Sequence, residues 1–243
     1  MTVPESEPAL TADGRPGTTD PGTAELQLGN VIDEENKPGW HSRGYLPHCD
    51  VEGLIQHISF HLADSLPKSA LDRLESSIEE MPDDEKKRQR RQRYETLLDA
   101  GHGGCVLGKP EAAKIVEGAL LHFDGARYRL LAWVIMPNHV HALIEPLPGF
   151  SVGRLVQSLK SFTARRINLL VADGSKRKEC RAGARRSQDG RSRALWQRDY
   201  WDRYIRNERH LLTAIRYIEE NPVASGLAGA AEEWPWGSAR RRR

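Results

Sequence analysis

Cysteine is scarce in this chain of 243 residues: Cys49, Cys105 and Cys180 are the only three, and no Cys-x-x-Cys pair occurs. That excludes a disulfide framework and a thiolate zinc site, and points to a reducing compartment. Long hydrophobic runs are also missing, and none approaches the ~20 apolar residues that span a bilayer. The first residues lack the basic-then-apolar layout of a secretory signal. No membrane partner is expected, and the expected location is the cytoplasm. A surplus of one charge is absent too, since 36 basic and 34 acidic side chains leave a formal net charge of +2. That balance hides segregation. Residues 1–37 are rich in Pro, Gly, Thr, Glu and Asp, whereas 86–93 and 176–206 are rich in Arg and Lys, and the chain ends Arg240-Arg241-Arg242-Arg243. Basic patches suit a polyanion, although solvated charge on helices and loops gives the same pattern.

What is present suits one medium domain with appendages: 38% apolar and 29% charged residues. Residues 1–37 hold too little apolar content to fold and read as a disordered leader. The domain spans 38–239, with a flexible basic insert at 173–193 and a basic tail at 240–243. Inside it, Leu54–Leu62 reads as a strand. Pro67 opens a helix that the charged run Asp83–Arg93 could continue, and Pro110 opens another. Tyr128–Ile135 and His139–Glu145 read as strands joined by the turn residues Pro137-Asn138. Val152–Val171 is a helix, Leu195–Ile205 a strand or extended segment, and Glu208–Glu220 a last helix that Pro222 should end near Asn221. The order βαββαβ predicts an α+β fold with a ferredoxin-like antiparallel sheet and one additional C-terminal helix.

The most telling stretch is Met136-Pro137-Asn138-His139-Val140-His141. Side chains of a strand alternate, so His139 and His141 face the same way. Two imidazoles side by side on a rigid strand are half of a divalent-metal site, or simply two hydrogen-bonded residues of a sheet. The last helix adds to this. Leu211, Leu212, Ile215 and Ile218 form an expected core stripe. At about 100° per residue, Tyr217 falls roughly 150° from its centre. His210, Ala214, Tyr217 and Asn221 line a second face. A phenol presented there can serve as a covalent nucleophile. The Asn221 amide oxygen is a hard ligand that suits Mg²⁺ or Mn²⁺ beside two imidazoles. A metal polarises a phosphoryl oxygen for in-line attack, so the set could cut a phosphodiester.

At this point the chain resembles a known family, the HUH (His-hydrophobic-His) single-tyrosine transposases, and among them the REP-associated tyrosine transposases. The resemblance rests on several motifs in order: Trp40-His41-Ser42-Arg43-Gly44-Tyr45-Leu46-Pro47-His48, Met136 to His141, Leu195-Trp196-Gln197-Arg198-Asp199-Tyr200-Trp201-Asp202-Arg203, and Arg216-Tyr217-Ile218-Glu219-Glu220-Asn221-Pro222-Val223. It implies that His139, His141 and Asn221 hold a divalent metal and that Tyr217 is the nucleophile, forming a 5′-phosphotyrosine link. It implies a DNA endonuclease and strand transferase acting on single-stranded hairpin DNA, as a monomer or homodimer in the cytoplasm and on the nucleoid. Trp40, His41, Arg43, Gly44 and Tyr45 would help read flanking DNA. Lys160, Arg165, Arg198 and Arg203 are candidates for phosphate contacts, since basic side chains neutralise the backbone. Trp40 could stack on an unpaired base. Cys49 departs from the aromatic expected at that point of the loop.

Two other readings stand beside this one. A catalytically inactive hairpin-binding protein would use the same basic and aromatic residues, but has no need of Tyr217, His139 and His141. A histidine-triad nucleotide hydrolase would need a third histidine at position 143, which is Leu143.

Overall fold

The computed structural model describes residues 40–42, 47–49, 51, 53–66, 68–179 and 194–242. The expected leader 1–37, the loop residues Arg43, Gly44 and Tyr45, and positions 180–193 of the expected insert lie outside them. The strands are β1 (Trp40–Ser42), β2 (Pro47–Cys49), β3 (Gln56–His61), β4 (Tyr128–Ile135), β5 (His139–Pro146) and β6 (Trp201–Tyr204). The helices are α1 (Lys68–Ile78), α2 (Asp83–Asp99), α3 (Pro110–His122), α4 (Val152–Glu179), α5 (Glu208–Ala224) and α6 (Ser238–Arg241).

β3 to β6 form one sheet in the order β4-β5-β3-β6 with every pairing antiparallel. Read as β3-α3-β4-β5-α4-β6, this is the expected ferredoxin-like arrangement. Both faces are covered, because the strand period of two sends apolar side chains each way. Ile58 and Phe60 of β3 join Val140, Ala142 and Ile144 of β5 in a core beneath α3 and α4. On the opposite face Ala132, Val134 and Leu143 meet Leu211, Ala214 and Ile218 of α5. Each buried aliphatic side chain contributes about 1.5–3 kcal/mol. β1 and β2 pair apart from this sheet, with Trp40 opposite Cys49. No helix among the described residues is long and apolar enough to cross a membrane.

Three boundaries depart from the sequence expectation. The helix opening near Pro67 does not run on through the charged stretch. It stops, and α2 begins afresh after Pro82, which disfavours helical geometry at Met81. α4 continues to Glu179, into the stretch expected to be a flexible insert. α5 passes through Pro222 to Ala224, so Asn221 lies inside the helix and not at its end. Proline removes one N–H from the ladder, the one that would meet the Ile218 carbonyl, and the ladder resumes beyond it, with the Ser225 N–H donating to the Asn221 carbonyl at 3.0 Å.

Between α2 and α3 the chain turns through Gly101 (φ 70°), Gly103 (φ 91°) and Cys105 (φ 44°). Gly103 lies on the backbone of Asp64, and a Cβ there would come within 2.4 Å of the Asp64 carbonyl oxygen. The Gly104 N–H donates to the Asp64 carboxylate at 2.9 Å. Gly103→Ala is therefore expected to cost about 1–3 kcal/mol, through a left-handed backbone and a steric clash together. The check is the urea midpoint at constant m-value. An unshifted midpoint would contradict the packing of this turn.

Candidate metal centre

The site begins with the pleat of β5. His139 and His141 point to the α5 side of the sheet, at 0% and 1% exposure, with ring centroids 4.8 Å apart. The register places His61 opposite His139 and Ser59 opposite His141. β3 thus adds His57, Ser59 and His61 to the same face. The alternation that singled out the β5 pair also marks these positions, but sequence reading passed over them.

α2 supplies a group that sequence reading missed altogether. Its last residue, Asp99, sets a carboxylate oxygen 3.4 Å from Nε2 of His139. Asp99, His139 and His141 each offer a ligand atom, all within 4.8 Å of one another. Asn221 is 2% exposed and its Nδ2 donates to the Asp99 carboxylate at 3.4 Å. The Asn221 Oδ1 and the His139 Nε2 are buried and accept no hydrogen bond. An unsatisfied buried polar atom costs about 1–3 kcal/mol. A cation bonded at about 2.0–2.2 Å would offset that cost, and ligands on one such ion stand roughly 3–3.5 Å apart. The donor set fits a divalent ion: two imidazoles, one carboxylate and one amide oxygen. Asn221 keeps its place beside the expected site, and Asp99 joins it.

The electrostatics agree. Burial holds the His139 imidazole well below its ordinary range, and His141 and His61 add to the effect. Burial lowers His61 to about 4 against the opposing pull of the Leu62 carbonyl, with Lys160 lowering it further. Both rings are therefore neutral at pH 7, which for His139 is the form that ligates. Burial raises the Asp99 carboxyl, the Asn221 amide opposes this, and Glu95 reinforces it. A cation would favour the ionised form.

α5 brings Tyr217 over this cluster. Its half-buried ring meets His141 edge-on at 5.4 Å and His57 at 5.8 Å. The expected core stripe is rotated. Leu211, Ala214, Ile218, Asn221 and Pro222 are the buried residues, whereas Leu212 is 60% exposed. Small Ala214 and short Asn221 allow close approach to the sheet, so the Tyr217 face packs inward.

The remaining candidates divide between the two layers. Arg203 of β6 stands in register with His57 and so shares the histidine face. Arg165 and Lys160 lie on α4, across the sheet. Lys160 donates to the carbonyls of Arg198 (2.8 Å) and Asp199 (3.2 Å), tying down the approach to β6. Burial lowers its amine to about 8, with Asp199 opposing. Arg198 and Arg165 are exposed. Trp40 and His41 lie in β1. Trp196 is a core residue that donates to Thr163 at 2.9 Å.

A ferredoxin-like sheet with a buried His-x-His pair beneath a tyrosine-bearing helix is the arrangement that the resemblance to the HUH single-tyrosine transposases implies. Comparison with known proteins agrees. Residues 114–221 match the family model described as IS200-like transposase. A curated protein of Haemophilus influenzae named as a REP-associated tyrosine transposase is 29% identical over 115 residues, covering 47% of this chain and 60% of that protein. The chain thus spans only about 60% of the relative's length. A solved structure of a REP-associated tyrosine transposase bound to a REP hairpin is similar at 17% identity and a TM-score of 0.46, over 83% of each chain. The resemblance read from the motifs is borne out by the family match and the relative together.

The buried histidines make a pH prediction. His61 titrates near 4 when folded, against an ordinary value near 6.5. Between pH 6.5 and 4 the unfolded chain therefore binds the extra proton, and stability falls as pH falls, by up to ~1.4 kcal/mol per unit. The urea midpoint should drop across that window, and His61→Gln should flatten the slope. A midpoint independent of pH there would contradict the buried, neutral ring.

Proposed function

We propose that this protein is a metal-dependent transposase that cleaves and rejoins single-stranded hairpin DNA through a 5′-phosphotyrosine intermediate. The observation that carries this reading is the approach of the Tyr217 ring to within 5.4 Å of His141, beside the cluster of Asp99, His139 and His141. His139, His141, Asp99 and Asn221 would hold Mg²⁺ or Mn²⁺. When bound, the ion polarises a phosphoryl oxygen and offsets the charge that builds there. Tyr217 attacks phosphorus through its phenolic oxygen, forming the Tyr–O–P bond. The P–O3′ bond breaks and the phenol gives up its proton. The departing 3′ oxygen takes one up and leaves as a hydroxyl. Rejoining runs the same steps in reverse, so no external energy source is needed.

The rigid site restricts where the phenol can go. α5 is anchored by Leu211 and Ile218 in the core and capped at its start by Asn207, whose side chain accepts from the His210 N–H at 2.9 Å. Tyr217 meets histidines of its own chain, which supports a site assembled within one chain, in a monomer or in each copy of a homodimer. Arg203, in register with His57, is proposed to meet a phosphate. Trp40, His41, Arg43, Gly44 and Tyr45 are proposed to read the flanking single strand, with Arg198 and Arg165 as further phosphate contacts. The proposed setting is the cytoplasm, on the nucleoid.

Tyr217→Phe is expected to abolish the covalent protein–DNA adduct in a denaturing gel while hairpin binding survives. An adduct formed by the Phe variant would sink the assignment. His139→Ala with His141→Ala should lose the cleavage that Mn²⁺ or Mg²⁺ supports by at least about 100-fold. Asp99→Asn should lower metal-dependent cleavage as well, because it removes the only carboxylate of the donor set. Undiminished cleavage by the double variant would rule out the metal role.

A further inference from the structure

Two buried polar side chains beside the site, Asn138 and His57, are not themselves ligands. We propose that they are positioning residues: each holds one ligating imidazole by its Nδ1, so that Nε2 of both His139 and His141 presents a lone pair to the same ion. The proposal rests on the metal-centre reading above.

The argument for Asn138 follows from donors and acceptors. The side chain is 1% exposed. Its Nδ2 donates to the Leu98 carbonyl at 2.9 Å and to the His102 carbonyl at 3.3 Å. A carbonyl oxygen only accepts, so that end of the amide must be the NH₂. The other end, Oδ1, lies 2.7 Å from His139 Nδ1 and must accept. Nδ1 therefore carries the proton and Nε2 the lone pair. Metal-ligating histidines commonly donate their second ring N–H in this way.

His57 does the same for the second ring. Its Nε2 lies 3.1 Å from His141 Nδ1, and one of the two donates. His141 ligates through Nε2 only if Nδ1 keeps the proton. His57 Nε2 is then the acceptor, and the His57 proton sits on Nδ1. The His57 ring also meets Tyr217 at 5.8 Å, so it packs beside both the ligand and the phenol.

Asn138 has a second effect. Leu98 precedes Asp99 and His102 follows it in the glycine-rich turn, so the two carbonyls held by Asn138 bracket the carboxylate. The side chain that orients His139 also seats the end of α2. Ring orientation and delivery of the carboxylate are one unit, although α2 is an insertion between β3 and α3.

The test uses the full chain. With ¹⁵N-labelled histidine and no metal, long-range ¹H–¹⁵N spectra report which ring nitrogen is protonated. The expected result is Nδ1–H for both His139 and His141, and Nε2–H on either one overturns the proposal. Calorimetric titration with Mn²⁺ then compares the wild type with Asn138→Ala, His57→Leu and His57→Gln. The Ala and Leu variants should bind about 10–100-fold more weakly. His57→Gln, whose amide oxygen can accept from Nδ1, should recover most of the affinity. Equal affinity in folded variants overturns the positioning role. A wild type that binds no Mn²⁺ overturns the metal reading beneath it, and the tautomer spectra, recorded without metal, tell that failure from the other. Those spectra need no substitution, so a variant that fails to fold does not shield the proposal.

Discussion

The structure turns on the burial of lone pairs. His139 and His141 beneath α5, and Asn221 on it, place nitrogen and oxygen acceptors next to the Asp99 carboxylate and out of reach of bulk water. Concentrating acceptors this way is unfavourable unless something positive lies among them. A divalent ion meets that need. Around the cluster the fold is well determined: His139 held by Asn138, His61 held between Ser65 and the Tyr94 hydroxyl at 2.6 and 2.7 Å, and two apolar layers above and below the sheet. Strong packing at the periphery tolerates an unfavourable centre, and such departures from local consistency collect at functional sites.

The helix α2, between β3 and α3, brings the Asp99 carboxylate to the histidine pair. Its surface carries a run of basic residues and it shows little apolar patterning, so nothing local makes it an obvious neighbour of the sheet. It is held by contacts at its C-terminal end. Tyr94 reaches His61 and meets the Trp201 ring at a tilt, 5.4 Å away, Leu98 is 1% exposed, and Asn138 grips the Leu98 carbonyl. Burial pushes the Tyr94 phenol up to about 12, the donated Trp201 bond and Arg90 pulling it down and Asp199 reinforcing it. Tyr94 is thus a neutral donor that ties helix to sheet. Tyr217, in contrast, lies against the His57 and His141 rings beside the Asp99, His139 and His141 cluster, where the proposed nucleophile would stand.

The sheet order and the histidine pair were legible because they depend on periods of two and on turn residues, which are local. The β3 histidines were legible by the same rule and went unread. Asp99 was not, since it meets His139 only through a contact between residues 40 positions apart. The face of α5 was misread for a different reason. Counting large apolar side chains favoured Leu212, but a helix lying flat on a sheet selects small residues, and Ala214 and Asn221 decide the contact. Pro222 was expected to end the helix, yet a proline whose neighbours keep their hydrogen bonds breaks only one link. The charged helix was expected to grow from the one before it, and Pro82 marks where it cannot.

The central claim is that the histidine face under α5 is a divalent-metal centre served by a tyrosine. Crystals soaked in Mn²⁺ and measured at a wavelength where manganese scatters anomalously test it directly. The account predicts one strong anomalous peak within bonding distance of His139 Nε2, His141 Nε2 and the Asp99 carboxylate, beneath the Tyr217 ring. Manganese bound elsewhere, with those three groups hydrogen-bonded among themselves, would contradict it.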